Sequence, residues 1–293
     1  MLIDSHCHLN FISFKEDADR VISDFLADNN ALIVVGSQDT SSVRSIEYAE
    51  KHPSGVYASV GLHPIQLIDE SEEVFFVDGQ SQTFKNRQED FDRDKYRQMV
   101  LSSKKVVALG EIGLDYFYFD KFDKAKWPEF KKIQTEALVG FIDLGEELDK
   151  PLILHCRGTK DDSYTAYDDL YFILKTQIQL GKKIRGVIHC FGGNERQAKE
   201  FLELGFYLGF TGIITFKRKA EEMQAIAKAT PLSKMLIETD APFLSPEPHR
   251  GERCLPQYVE FVAKKIAELK TISYEEVADA TTENAKKLFD FPL

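Results

Sequence analysis

Eight short runs rich in β-branched and aliphatic residues recur along this chain, each followed by a longer stretch with helical spacing of its apolar positions. This alternation limits the fold more than any other feature. The runs lie near 2–8, 31–36, 56–62, 106–112, 151–156, 184–190, 206–211 and 235–240. The helix-like stretches lie at 15–29, 40–52, 91–103, 127–148, 164–180, 194–204 and 217–229, with two more, 256–269 and 273–289, after the last run. Parallel strands need a crossover between them, usually a helix. Eight such units predict an α/β fold, the (β/α)8 TIM-type barrel. An open doubly wound sheet is the alternative, and no Gly-x-Gly-x-x-Gly follows the first run to support it. The 293 residues, 43% of them hydrophobic, are expected to form a single domain over 1–293. One segment breaks the rhythm. Residues 69–98 carry Asp69-Glu70, Glu72-Glu73, Asp78-Gly79 and Glu89-Asp90, with few periodic apolar positions before 91, and read as an acidic loop insertion.

In a barrel of this kind the site forms at the C-terminal ends of the strands. The first run ends in His6-Cys7-His8, and alternate side chains of a strand share a face, so both imidazoles can reach one metal ion. Later runs end in Gly61-Leu62-His63-Pro64, Gly110-Glu111-Ile112-Gly113-Leu114-Asp115, His155-Cys156-Arg157, His189-Cys190-Phe191 and Glu238-Thr239-Asp240. Five of the seven histidines thus fall at strand ends, which chance placement would not produce. A mixed imidazole and carboxylate set suits zinc, manganese or iron, and magnesium less purely. Two metals need a bridging group, and Glu111, midway round the set, is the best placed carboxylate; Asp240 can bind metal and take the proton of an activated water. The same alternation turns Cys7, Cys156 and Cys190 away from the ligands beside them, as packing thiols rather than zinc ligands. Asp4 and Glu238 share the faces of His6 and Asp240 one pleat deeper, where a carboxylate orients a ligand or sits as a barrel-floor acid.

Bulk properties narrow the partners. A net charge of −11 opposes broad binding to long polyanions, while metal ions and a few basic side chains can still neutralise a phosphate locally. Arg157 beside His155, and Arg250 in a proline-rich loop after the last run, are candidate phosphate contacts. Tyr116, Phe117, Tyr118 and Phe119 offer either loop packing or a stacking surface for a nucleobase. No stretch approaches the roughly 18 apolar residues of a membrane span, and the start carries neither a basic nor an apolar leader region. The four cysteines do not form a secreted disulfide pattern, so a cytoplasmic protein is expected, and with no evident dimerisation stripe a monomer is the default.

At these positions the chain resembles the TatD family of metal-dependent deoxyribonucleases and related hydrolases. The matching motifs are Asp4-Ser5-His6-Cys7-His8-Leu9, Gly61-Leu62-His63-Pro64, Gly110-Glu111-Ile112-Gly113-Leu114-Asp115-Tyr116, His189-Cys190-Phe191-Gly192-Gly193 and Glu238-Thr239-Asp240-Ala241-Pro242-Phe243-Leu244. The tail Thr282-Glu283-Asn284-Ala285-Lys286-Lys287-Leu288-Phe289 is similar to the family's last helix. The resemblance implies an amidohydrolase-type barrel holding two divalent ions, magnesium, manganese or zinc. One would be held by His6, His8, Glu111 and Asp240, the other by Glu111, His155 and His189. His63 would hold a substrate phosphate or an extra metal. It further implies a DNase, in some members an exonuclease on DNA or oligonucleotide ends. The chain departs from the family pattern at Cys254-Leu255, where Asn-Glu is usual, at Gly192, where serine is common, and in the long acidic insertion, which would screen the site from duplex DNA. Two other readings stay open: a metal-dependent amidase or esterase on a small substrate, and a non-catalytic metal-binding protein.

Overall fold

A computed structural model describes residues 1–68, 72–77, 80–85, 88–218 and 220–291. Eight parallel strands form one sheet in the order β1 (Ile3–Cys7), β2 (Ala31–Val35), β3 (Val56–Val60), β6 (Val106–Asp115), β7 (Leu152–Arg157), β8 (Gly186–Ile188), β9 (Tyr207–Phe210) and β10 (Met235–Ile237). The sheet closes on itself. Cys7 bridges Ala241 in parallel, His8 N–H donates to the Ala241 carbonyl at 2.7 Å, and Asp240 N–H donates to the His6 carbonyl at 2.9 Å. The helices are α1 (Ala18–Leu26), α2 (Asp39–Lys51), α3 (Arg93–Ser102), α4 (Trp127–Glu147), α5 (Thr165–Gln179), α6 (Glu195–Glu203), α7 (Glu221–Ala229), α8 (Val259–Lys270) and α9 (Tyr274–Phe289). The expected (β/α)8 architecture is therefore the observed one.

The pleat explains why these strands read as unbroken apolar runs. In β2 every residue is buried: Leu32 and Val34 join the core under the helices, while Ile33 and Val35 join a second cluster inside the barrel with Val107, Ile153, Val187 and Leu236. Both faces of each strand are covered, as parallel sheets require. The inner cluster also takes in Ala285, Leu288 and Phe289 of α9, so this helix covers the floor of the barrel, away from the strand ends that carry the histidines. Capping boxes start α6 (Asn194 with Gln197) and α9 (Ser273 with Glu276). No helix among the described residues is long and apolar enough to cross a membrane.

The insertion differs from expectation. Rather than a loop throughout, 69–98 contains an antiparallel hairpin of β4 (Glu72–Val77) and β5 (Gln80–Lys85), and its last residues already belong to α3. Its first strand, Glu72–Val77, sets its apolar residues 74–77 side by side rather than alternately, so the period-two signal of a half-buried strand is missing. Residues 69–71, 78–79 and 86–87, with Asp69, Glu70 and Asp78 among them, lie outside the described residues. The expectation of an acidic screen rests on that stretch. At its end Glu89 is tied down, accepting from Asp39 N–H at 3.1 Å and Tyr96 Oη at 3.0 Å.

Candidate metal centre

The strand ends converge on one cavity of about 610 Å³, lined by His8, His63, Glu111, His155, His189, Asp240 and Arg157 among others. The tightest grouping is His6, His8, Glu111 and Asp240. His6 Nε2 and His8 Nε2 lie 3.0 Å apart; His8 Nε2 lies 3.4 Å from Asp240 and 3.5 Å from Glu111; His6 Nε2 lies 3.6 Å from each carboxylate. Ligands about 2.1 Å from a shared ion are themselves about 3.0 to 3.5 Å apart in octahedral or tetrahedral geometry. The donor spacing therefore fits a divalent cation.

Ring partners decide which nitrogen is available. His8 Nδ1 faces the Val35 carbonyl at 3.1 Å, which keeps the proton on Nδ1 and leaves Nε2 as the ligand atom. His189 Nδ1 lies 2.9 Å from Glu238 Oε1, an ion-pair distance with the N–H out of line for a well-aligned hydrogen bond, and its Nε2 points at Glu111 (3.6 Å) and Asp240 (3.9 Å). His155 lies between two carboxylates, Nδ1 at 2.7 Å from Glu111 and Nε2 at 3.0 Å from Asp115. His63 is the reverse case. Its Nδ1 accepts from Ile65 N–H at 3.2 Å, so the neutral ring carries its proton on Nε2, which lies 3.7 Å from Glu111. That is a donor aimed into the cavity, suited to an anion, although His63, Glu111 and His155 also form a group able to hold an ion. His6 Nδ1, fully buried, has no hydrogen-bond partner.

The electrostatics carry the same message. Burial opposes the charge on Glu111, yet His63, His155, His6 and His8 hold it ionised well below the usual carboxylate range; burial likewise opposes charge on Asp240, and His8 overcomes it. Burial would also neutralise His8 and His155, but Asp240 and Glu111 push His8 up to about 10, and Asp115 and Glu111 push His155 up to about 9. His6 and His63, dominated by burial, drop to about 4 and about 3. In the metal-free cluster, protons supply charge that the carboxylates demand.

Several side chains depart from the sequence reading. Strands β8 and β10 stop at Ile188 and Ile237, so His189, Cys190 and Asp240 lie past regular pleat, and Cys190 (φ 45°) and Asp240 (φ 58°) adopt left-handed backbone. Alternation therefore fails for Cys190: it lines the cavity and groups with His189 and Asp240, and Cys156 also reaches the cavity wall. Cys7 keeps to the pleat, buried with its Sγ donating to the Ile33 carbonyl at 3.3 Å. Arg157 lines the cavity, with Nε at 2.8 Å and Nη2 at 2.6 Å from Asp115. Arg250 does not line it; its guanidinium lies 3.8 Å over the Phe216 ring. Of the four aromatics after Glu111, Tyr116 and Phe119 are buried packing and Phe117 faces the cavity.

Asp115 is the residue that sequence reasoning passed over. It is buried, accepts from Phe117 N–H at 2.9 Å, and anchors both His155 and Arg157. Its even spacing from Glu111 along β6 is the signal that could have found it, since that puts both on one face. Glu238 is buried as expected, and also accepts from Cys190 N–H; a Cβ at Gly209 would fall 2.6 Å from its carboxylate, so glycine makes the space for it. Asp4 lies deeper, accepting from Thr239 N–H (2.9 Å) and Oγ1 (2.6 Å), which joins β1 to the segment after β10; burial pushes its carboxyl up to about 8.

Comparison with known proteins agrees on family and fold. A family model described as TatD related DNase matches residues 3–290. The chain is 37% identical over 290 residues to YabD of Bacillus subtilis, named an uncharacterized metal-dependent hydrolase, with 99% of each chain covered. The crystal structure of YjjV, a TatD homologue from Escherichia coli K12, superposes with a TM-score of 0.79 at 28% identity, covering 99% of this chain and 98% of that one. The barrel fold alone is shared with N-isopropylammelide isopropylaminohydrolase of Burkholderia multivorans, at a TM-score of 0.57, 13% identity and coverage of 99% and 74%. With family motifs, fold and full-length similarity in agreement, the chain belongs to the TatD related DNase family.

Proposed function

We propose that the chain, acting as one domain, is a metal-dependent hydrolase of phosphodiester bonds that removes nucleotides from DNA ends. The observation that carries this reading is the donor spacing of His6, His8, Glu111 and Asp240, which fits a divalent ion; His63, Glu111 and His155 form a second group that shares Glu111. His6, His8, Glu111 and Asp240 would hold one ion. Glu111, His155 and His189 would hold the other, with Glu111 bridging. The chemistry that divalent ions held there would supply is polarisation of the phosphate and activation of a water near neutral pH.

The side chains do the rest. Asp240, kept ionised by its histidine neighbours, accepts the proton of the attacking water. His63 donates from Nε2 to a phosphate oxygen as negative charge grows there. Arg157 adds a cation on the same wall, held in place by Asp115. Arg250 has no part in this geometry. The net charge of −11 favours short or single-stranded ends over long duplex. Cleavage of an end-labelled single-stranded oligonucleotide with magnesium, manganese or zinc, each against a chelator, tests the reading: metal-dependent laddering from one end is expected. Glu111→Gln should lower that turnover at least a thousandfold, roughly the loss of a group central to transition-state charge, with the fold retained by circular dichroism. Turnover of a small amide or ester with no nucleic acid cleaved would overturn it.

A further inference from the structure

We infer that the site holds two nucleobases, one on each side of the scissile phosphate, on separate aromatic shelves formed by Phe243 and by Phe117. This rests on the phosphodiester reading above and states which part of the substrate the cavity recognises. The cavity, about 610 Å³, far exceeds what a phosphate and its ions occupy, and Phe11, Phe117, Tyr167 and Phe243 line it among the polar side chains. The two shelves lie on opposite sides. Phe243 follows Asp240 beyond β10 and packs near Phe11, ring centroids 6.2 Å apart, while Phe11 stacks flat on His8 of the neighbouring β1 at 4.4 Å. Phe117 follows Asp115 at the end of β6, with the Arg157 guanidinium from β7 4.6 Å from its ring centre. In the closed strand order, β10 and β1 are across the barrel from β6 and β7. The ligand cluster therefore lies between two flat, half-buried surfaces, both open to the cavity.

A phosphate needs donors and charge, which the cluster, His63 and Arg157 supply. Planar apolar faces add nothing for it, but they do suit a planar heterocycle, and a ring or a guanidinium plane stacks on any base regardless of sequence. Bases that stack on protein must leave the duplex stack, which agrees with a single-stranded end. The distribution also assigns recognition to both sides of the bond rather than to the released nucleotide alone.

The test uses the manganese-loaded full chain and calorimetric binding of a phosphorothioate thymidine dinucleotide, compared with its two analogues that each lack one base. Loss of either base should weaken binding about tenfold, the scale of base stacking. Phe243→Leu and Phe117→Leu keep apolar bulk and remove the ring. Each should weaken the full dinucleotide and become insensitive to loss of one base, a different base for each variant. Wild-type binding that is equally tight with and without bases overturns the inference, and so does sensitivity to one base only. Cleavage of an oxygen dinucleotide is followed in parallel. Cleavage without base dependence removes the shelves and leaves the hydrolase standing; base-dependent binding with no cleavage retains the shelves and removes the phosphodiesterase.

Discussion

At the scale of single residues, the centre is organised by what holds the far side of three of its imidazoles, His6 Nδ1 having no hydrogen-bond partner. The Val35 carbonyl does this for His8, Glu238 for His189 and Asp115 for His155. Such partners fix tautomer and ring orientation, and losing one typically costs 10- to 100-fold in metal affinity. Asp115→Asn and Glu238→Gln should therefore weaken manganese binding by about that factor, read by calorimetry, while the circular dichroism spectrum stays native. Unchanged affinity in both would show that the carboxylates only fill space. The ligand residues themselves were legible because each stands at the end of an apolar run. Asp115 was not, because a carboxylate closing the Gly110–Asp115 motif looks like any strand-end acid until His155 and Arg157 arrive from the next strand. Arg250 shows the converse: its residue type suits phosphate, but loop geometry sets it on Phe216 instead.

At the scale of elements, the strands and helices followed from apolar periodicity, and the discrepancies fall where that signal is weakest. The short β8 and β10 end before the residues they present, so the positions that matter most sit on turned backbone, not on pleat. The hairpin β4–β5 escaped because its apolar residues 74–77 are consecutive rather than alternating. The loops around the mouth are also joined by one ion pair that neither loop's sequence announces. Arg253, in the segment after β10, donates to Asp17 at 2.9 and 2.7 Å and to the Ser13 carbonyl, tying that segment to the turn before α1. Arg253 holds the Asp17 carboxyl below its ordinary value. A depressed carboxylate contributes stability above its unfolded pKa and loses it as pH falls through the folded one. Asp17→Asn should thus cost about 1 kcal/mol at pH 7 and progressively less in acid, below roughly pH 4. Urea melts at several pH values measure this; a cost independent of pH would mean the contact is packing alone.

At the scale of the whole molecule, a buried cluster of like-charged carboxylates faces a cavity in a protein already carrying −11. A bound cation should stabilise the entire barrel, by about 2.7 kcal/mol at a hundredfold excess over its dissociation constant. Chelation of the loaded protein is expected to lower Tm by roughly 5 °C or more for a chain this size. The effect should depend on pH. His8 retains its proton up to about 10 and His155 up to about 9, and binding a cation expels protons, so raising the pH favours loading. The Tm gain from manganese should therefore grow from pH 6 to pH 8.5. A gain that shrinks over that range would contradict the protonation pattern.

The seam of the barrel has a temporal meaning. His6 and His8 come from the first strand and Asp240 from just beyond the last, and the hydrogen bonds between Asp240 and His6, and between His8 and Ala241, are the closure itself. Contacts spanning so much sequence form slowly, because the entropy of bringing distant segments together precedes the reward. The part of the centre built from His6, His8 and Asp240 thus requires both ends of the chain to be in place. A refolding protein should acquire an ion at His6, His8 and Asp240 in the same kinetic phase in which the first and last strands meet.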